Sequence, residues 1–223
     1  MDWTALSLSL KLAGWTVLIL LPLGVWVGHA LAAHHFRGKA WVEALLALPL
    51  VLPPTVLGYY LLVAMGGSSP VGQFYESWVG RPLVFNFEGL LLASVVFNIP
   101  FAIQPLQRGF EAIAPEVRDA AACCGLSRWR TLWRIELPLA WHGVLSATVL
   151  TFAHTLGEFG VVLMVGGNIP GETKTIAIAI YDRVQAFDTA GAGVMSAALL
   201  LISLIAIGAA YFSTARPRTH HHG

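Results

Sequence analysis

From Leu12 to Ala33 the chain carries no lysine, arginine, aspartate or glutamate. About 20 mostly apolar residues are enough to cross the hydrocarbon core of a bilayer as a helix. Lipid offers backbone groups no hydrogen-bond partners, so such a stretch must satisfy its own, which a helix does. Four more apolar stretches lie further along, near Trp41–Met65, Gly89–Leu106, Gly143–Val165 and Ala192–Phe212. The pattern predicts an all-α, polytopic membrane protein with about five transmembrane helices. Composition agrees: 57% of residues are hydrophobic and 11% charged, against roughly 25% charged in soluble domains. The N-terminus does not resemble a cleavable signal, because Asp2 stands where a basic run is needed and the apolar stretch is too long. A single transmembrane domain over residues 1–223 is expected, with a charged loop at 108–138 inside it.

The basic residues give the orientation. If the turn at 34–40, the loop at 108–138 and the tail after 213 share one side, that side holds Arg37, Lys39, Arg108, Arg118, Arg128, Arg130, Arg134, Arg216 and Arg218. The opposite side holds Lys11, Arg81, Lys174 and Arg183. Basic residues accumulate on the cytoplasmic side, so nine against four predicts an outside N-terminus and a cytosolic C-terminus. Pro49, Pro53 and Pro54 fall in the second stretch, and Pro100 and Pro105 in the third. Each removes a backbone donor and kinks a helix. Such breaks suit either a lined pathway or helices bent for packing. The adjacent Cys123 and Cys124 cannot complete a zinc site and read as small filler in a cytosolic loop. No metal site or cofactor is expected.

The charged loop carries the most specific pattern. It reads Asp119-Ala120-Ala121, three residues, Gly125, nine residues, Ile135, one residue, Leu137-Pro138. Pro115 and nearby acids favour a helix start, and Gly125 supplies a left-handed turn after Cys124. Leu126–Ile135 then predicts a second short helix bearing Arg128, Arg130 and Arg134 beside Trp129 and Trp133, with Pro138 ending the loop. Two short amphipathic helices about a glycine form a knob that a soluble partner could grip; an interfacial loop on lipid headgroups is the bland alternative.

This pattern resembles the signature loop of ABC importer permeases, E-A-A-x3-G-x9-I-x-L-P, with Asp119 in place of glutamate. The resemblance implies a MetI-like permease fold whose loop docks in a groove of a separate ATPase subunit. The similarity extends along the chain. Leu48-Pro49-Leu50-Val51-Leu52-Pro53-Pro54-Thr55, Leu156-Gly157-Glu158-Phe159-Gly160 and Ile169-Pro170-Gly171-Glu172-Thr173 look like the molybdate permease group, with sulfate permeases sharing the first two themes. The resemblance implies a subunit without enzymatic activity, working as a homodimer with two cytosolic ATPase subunits and an external oxyanion-binding protein. It would sit in the bacterial cytoplasmic (inner) membrane and import molybdate or tungstate. A sulfate or thiosulfate permease is the alternative. No nucleic acid partner is implied.

Glu158 is the outstanding ionisable group within a span, and such groups are costly unless paired or wet. Charged, it would repel an oxyanion, so the expected role is structural, accepting backbone donors near Gly157 and Gly160. His154, one turn earlier, is its expected side-chain partner. Thr55, Asn98, Gln104, Thr148 and Thr151 could line a polar route or bond between helices. Gly166–Thr173 has the glycine spacing of a phosphate loop, but Glu172 replaces the lysine, which excludes that reading. A secondary transporter would need internal repeats, and a membrane enzyme more than His29, His34 and His35; neither pattern is found.

Overall fold

The computed structural model describes residues 1–214, and among these it contains helices and turns with no strand. Arg216, Arg218 and the histidine tract at 220–222 lie outside the described residues. Among the described residues three helices are long and apolar enough to cross a membrane: α1 (Trp3–Ala33), α5 (Phe87–Glu111) and α12 (Thr189–Thr214). Five spans result when two sharply bent helix pairs are counted as one span each. The helix α1 starts well before Leu12, because Asp2 caps it by accepting the Ala5 N–H at 2.9 Å.

The expected second span is broken. It consists of α2 (Lys39–Val51) and α3 (Pro54–Met65), which meet at 109°. Pro54 drives Pro53 out of the helical region and Pro53 does the same to Leu52, so both take ψ 135°. Pro54 then serves as the first residue of the new helix. By contrast α5 passes through Pro100 and Pro105 without a break, with α1 and α9 (Trp141–Gly157) packed along it. Proline is tolerated in membrane helices that neighbours support in this way.

The expected fourth span, Gly143–Val165, is also divided. Gly157 ends α9, Glu158 is extended (φ −73°, ψ 130°), and α10 (Gly160–Gly166) begins after Phe159. Outside these spans lie α4 (Pro70–Val79), α6 (Pro115–Cys123) and α11 (Ile176–Gln185), while α7 (Arg128–Thr131) and α8 (Leu137–Leu139) belong to the run that bends into α9.

Packing sorts the chain into two ends. At one, the Ile176 N–H donates to Ser9 Oγ at 2.8 Å, and Ala5, Leu6, Ile176, Ala179 and Met195 share a core. There Asp182 takes Lys174 at 2.6 Å and Asn168. Burial opposes its charge, yet those hydrogen bonds and the Lys174 charge hold its carboxyl below the usual range. At the other end, Leu106, Phe110, Ile113, Leu132, Ala140 and Ala147 form a second core beneath the charged loop.

Glycines bring the three central helices into close contact. A Cβ on Gly24 or Gly28 of α1 would lie 2.8 Å from the Leu106 side chain or 3.0 Å from the Gln107 nitrogen of α5. A Cβ on Gly143 of α9 would lie 2.6 Å from the Pro105 carbonyl oxygen. So α1, α5 and α9 form one tight unit. The helix α2 has no fully buried residue: one side packs on α5, where Glu43 accepts from Gln107 at 2.6 Å, and Trp41, Leu45 and Val51 are left exposed.

Candidate functional site

The charged loop folds as the two-helix knob its sequence suggests, with altered edges. Arg108 is still in the last turn of α5, so the loop proper begins at Ala112 rather than at 108. Pro115 occupies the first turn of α6 with Glu116 beside it. Asp119 sits beyond that first turn and is exposed, so it does not act at the helix terminus. Ala120 is exposed beside it, while Ala121 is buried against the body of the protein. Gly125 takes φ +75°. The Leu126 N–H donates to the Ala121 carbonyl at 3.1 Å and the Gly125 N–H to that of Ala122 at 2.9 Å. That paired closure of a helix end needs a left-handed residue at Gly125.

The second helix starts later and runs further than Leu126–Ile135. Ser127 caps α7, a π-helical turn spans Leu132–Glu136, and α8 carries the chain to Leu139. Pro138 therefore lies within this helical run rather than ending it, because it falls at the start of α8, where a missing N–H is tolerated. The break comes at Ala140, where the run bends 72° into α9. Ile135 and Leu137 are half-buried at its base, and Trp129 and Trp133 are exposed with their rings 5.5 Å apart. Cys123 and Cys124 are both exposed and unbonded on this loop.

A residue that sequence reasoning missed organises the base of this loop. Glu136 is 2% exposed, accepts from Arg118 Nε and lies 2.9 Å from His29 Nε2. The three come from the loop and the far end of α1. No local signal points to the pairing, since His29 and Glu136 are so distant in sequence.

Deeper in the bundle, polar residues of α1, α5 and α9 form a connected chain. Thr16 Oγ1 and Ser94 Oγ are 2.7 Å apart. Asn98 Nδ2 donates to the Ser94 carbonyl and to Thr155 Oγ1, both at 2.9 Å. With its amide nitrogen so used, Asn98 accepts through Oδ1 from His154 Nδ1 at 3.1 Å. The Phe101 ring stacks on His154 at 3.9 Å.

The expected His154–Glu158 pair does not form. The helix ends at Gly157, so the one-turn spacing no longer places the two side chains together. Glu158 instead accepts the Val161 N–H at 2.9 Å, the backbone role expected of it, and thereby starts α10. Thr151 is buried with its hydroxyl unpartnered, Thr148 donates to the Val144 carbonyl of its own helix, and Thr55 and Gln104 are exposed.

The two broken helices meet. A Cβ on Gly160 would lie 2.7 Å from Pro54 Cβ, and one on Gly58 would lie 2.8 Å from Met164 Cβ, so α3 and α10 pack nearly backbone to backbone. Between the breaks lies a cavity of about 140 Å³ lined by Pro49, Pro54, Phe97, Phe101, His154 and Glu158. Of the candidate polar residues it gathers His154 and Glu158, and leaves out Thr55, Asn98 and Thr151. Glu172 turns toward Arg81, which also binds Glu88 at 2.6 Å.

The family model for the binding-protein-dependent transport system inner membrane component matches residues 21–219. The chain belongs to that family. It is 44% identical over 212 residues to the molybdenum transport system permease protein ModB of Azotobacter vinelandii, covering 95% of this chain and 94% of that one. It is 39% identical to ModB of Escherichia coli strain K12, covering 92% and 91%. A probable sulfate transport system permease protein of Chlorella vulgaris is more distant, at 29% identity, covering 92% and 76%. Among solved structures, this permease resembles a bacterial alginate ABC transporter in complex with an alginate pentasaccharide-bound periplasmic protein. The TM-score is 0.74 at 18% identity, covering 96% of this chain and 78% of that chain. That likeness bears on the fold alone.

Proposed function

We propose that this permease conducts molybdate, with tungstate as an allowed analogue, into the cytoplasm on energy supplied by a separate ATPase. The observation that carries the reading is the 44% identity to a molybdenum permease over 95% of the chain. Sulfate permeases are more distant in sequence, at 29% for the Chlorella relative. The chain is taken as a single membrane domain over 1–223 and as a homodimer, because α2 leaves Trp41, Leu45 and Val51 exposed on the side away from α5. Two ATPase subunits would grip the exposed loop through Asp119, Ala120 and Gly125, with Ala121, Ile135, Leu137 and Pro138 anchoring it below. An oxyanion-binding protein would deliver the anion at the opposite end, with the N-terminus outside and the C-terminus cytosolic.

The cavity at the two breaks suits passage rather than retention. Glu158 places a carboxyl group there and His154 is engaged by Asn98, so a dianion meets no ring of strong donors. A weak site favours release on either side, and selectivity would rest with the binding protein. Asn98 would then hold α5 to α9 rather than the anion, and Thr55 and Thr151, outside the cavity, would not bind it.

The test is uptake of labelled molybdate by a strain lacking its own permease and complemented with this chain, its binding protein and its ATPase. Restored uptake, reduced by excess tungstate and indifferent to excess sulfate, supports the reading. Uptake suppressed by sulfate favours the sulfate alternative.

A further inference from the structure

Glu136 closes a ring of contacts that draws on four parts of the chain. Its Oε2 meets His29 Nε2 of α1 at 2.9 Å, and its Oε1 accepts from Arg118 Nε of α6. Arg118 donates again, from its terminal nitrogen to the Phe110 carbonyl of α5 at 3.0 Å. The Phe110 ring returns to His29 edge to face at 5.3 Å. Glu136 itself belongs to the π-helical turn between α7 and α8.

Such an arrangement is a weak argument for stability on its own. Taking a carboxylate and a guanidinium out of water is costly, and well-packed apolar side chains of the same volume often do as well or better. What an ionic cluster adds is direction, since each hydrogen bond constrains distance and angle, whereas apolar contacts are non-directional. The remaining attachment of the loop is of that second kind. Ile113, Leu132 and Ala140 pack with Leu106 and Phe110, and Val117 lies against them. The other side of α6 faces a cavity of about 420 Å³, lined by His29, Ala33, Asp119, Ala122 and Leu126, which separates α6 from the end of α1. The ring of Glu136 is the polar strut across that gap.

The π-helical turn fits the same purpose. One extra residue in a turn rotates the residues after it by about 100° relative to an α-helix. Such turns appear frequently at functional sites. Here the turn carries the residue that reaches α1. On the far side of the strut, α1 is close-packed to α5 at Gly24 and Gly28, and α5 to α9 at Gly109 and Gly143. A displacement of α6 carried through Glu136 therefore reaches three helices together.

We infer that Glu136 is the positioning residue of a transmission joint, holding α6 to α1 and α5 so that the loop and the three-helix core move as one lever. This rests on the reading of α6, Gly125 and α7 as the ATPase-docking surface. Glu136 touches neither the anion nor the ATPase in this scheme. Removing it uncouples the two motions without removing the docking surface.

The experiment uses the complete transporter in liposomes, with ATPase subunits, binding protein and molybdate. Glu136→Ala, Glu136→Gln and His29→Gln are compared with the unaltered chain. Three quantities are read: ATPase co-purification, ATP hydrolysed per anion imported, and the distance between spin labels at Trp26→Cys on α1 and Glu116→Cys on α6, with both native cysteines replaced by serine. In the unaltered chain the label distance should stay constant when ATP binds. Glu136→Ala should retain the ATPase, show a distance that changes or broadens with ATP, and raise the ATP used per anion about tenfold or more, the scale of a typical coupling free energy between sites. Glu136→Gln and His29→Gln should fall between.

A normal ATP-to-anion ratio and a constant distance in Glu136→Ala overturn the inference. If Glu136→Ala fails to accumulate or to bind the ATPase, the two milder variants decide, and unchanged ratios in both overturn it. Gly125→Val distinguishes the two levels. If that variant docks the ATPase and transports normally, the docking reading itself is wrong. If it abolishes docking while the Glu136 variants behave as unaltered, only the joint is wrong.

Discussion

Replacing Gly125 with valine isolates what the turn between α6 and α7 contributes. At φ +75° the residue lies in the left-handed region, and a Cβ built there finds no heavy atom within 4 Å. The chain itself therefore offers no clash, and the whole intramolecular cost is backbone strain. An L-residue in that conformation costs about 1–2 kcal/mol, with asparagine the least penalised after glycine. A β-branched residue is a true outlier there and falls at or above the upper figure. Since 1.4 kcal/mol is about tenfold, Gly125→Ala should lower the ratio of closed to open turns by about 5- to 30-fold and Gly125→Val by at least the upper figure. Gly125→Asn should stay near the unaltered chain. The turn closes through the Leu126 and Gly125 N–H groups, so its loss swings α7 away from α6. The assay is ATPase co-purification and anion uptake for all three variants at matched membrane levels. The account predicts the order Asn, Ala, Val from mildest to most severe, with Val losing transport. If asparagine fails as badly as valine, bulk in the partner's groove rather than backbone strain controls docking, and the φ argument is refuted. Normal docking and transport in Gly125→Val would remove the loop's proposed role altogether.

Topology can be tested with the native thiols. Cys123 and Cys124 are exposed on the loop proposed to be cytosolic. A membrane-impermeant thiol reagent should miss them in intact cells and label them after permeabilisation, whereas Ser68→Cys and Pro170→Cys should label in both. Labelling in the reverse pattern contradicts the orientation. Asn98→Leu keeps the branched outline of the side chain but removes its hydrogen bonds to His154 and Thr155 in a buried site. It should lower the midpoint of thermal unfolding in detergent by the equivalent of about 1–2 kcal/mol, and an unchanged midpoint would mean the polar chain through α1, α5 and α9 contributes nothing.

The knob is legible in the sequence because its signals are local. Pro115 starts a helix, Gly125 turns the chain, and the spacing to Leu137-Pro138 sets the length, all within one short segment. The double proline announces a kink near Pro53, but its angle depends on two successive residues forced into extended backbone, which a count of prolines does not give. The break after Gly157 has no proline, and apolarity continues through it. Its one sign is Glu158, whose carboxylate serves the backbone of Val161 and so marks a new helix start. One-turn spacing points His154 to the wrong partner because that spacing holds only while the helix continues. Glu136 is invisible for a different reason. Its meaning lies in His29 and Arg118, and periodicity within a segment says nothing about which charges meet between segments.

Transport in a defined system tests the central claim most directly. Liposomes would hold this permease with its ATPase, ATP inside with the ATPase, and molybdate-loaded binding protein outside. The account predicts molybdate accumulation that requires all three proteins and hydrolysable ATP. Accumulation by the permease alone, driven by an ion gradient and indifferent to ATP, would contradict it.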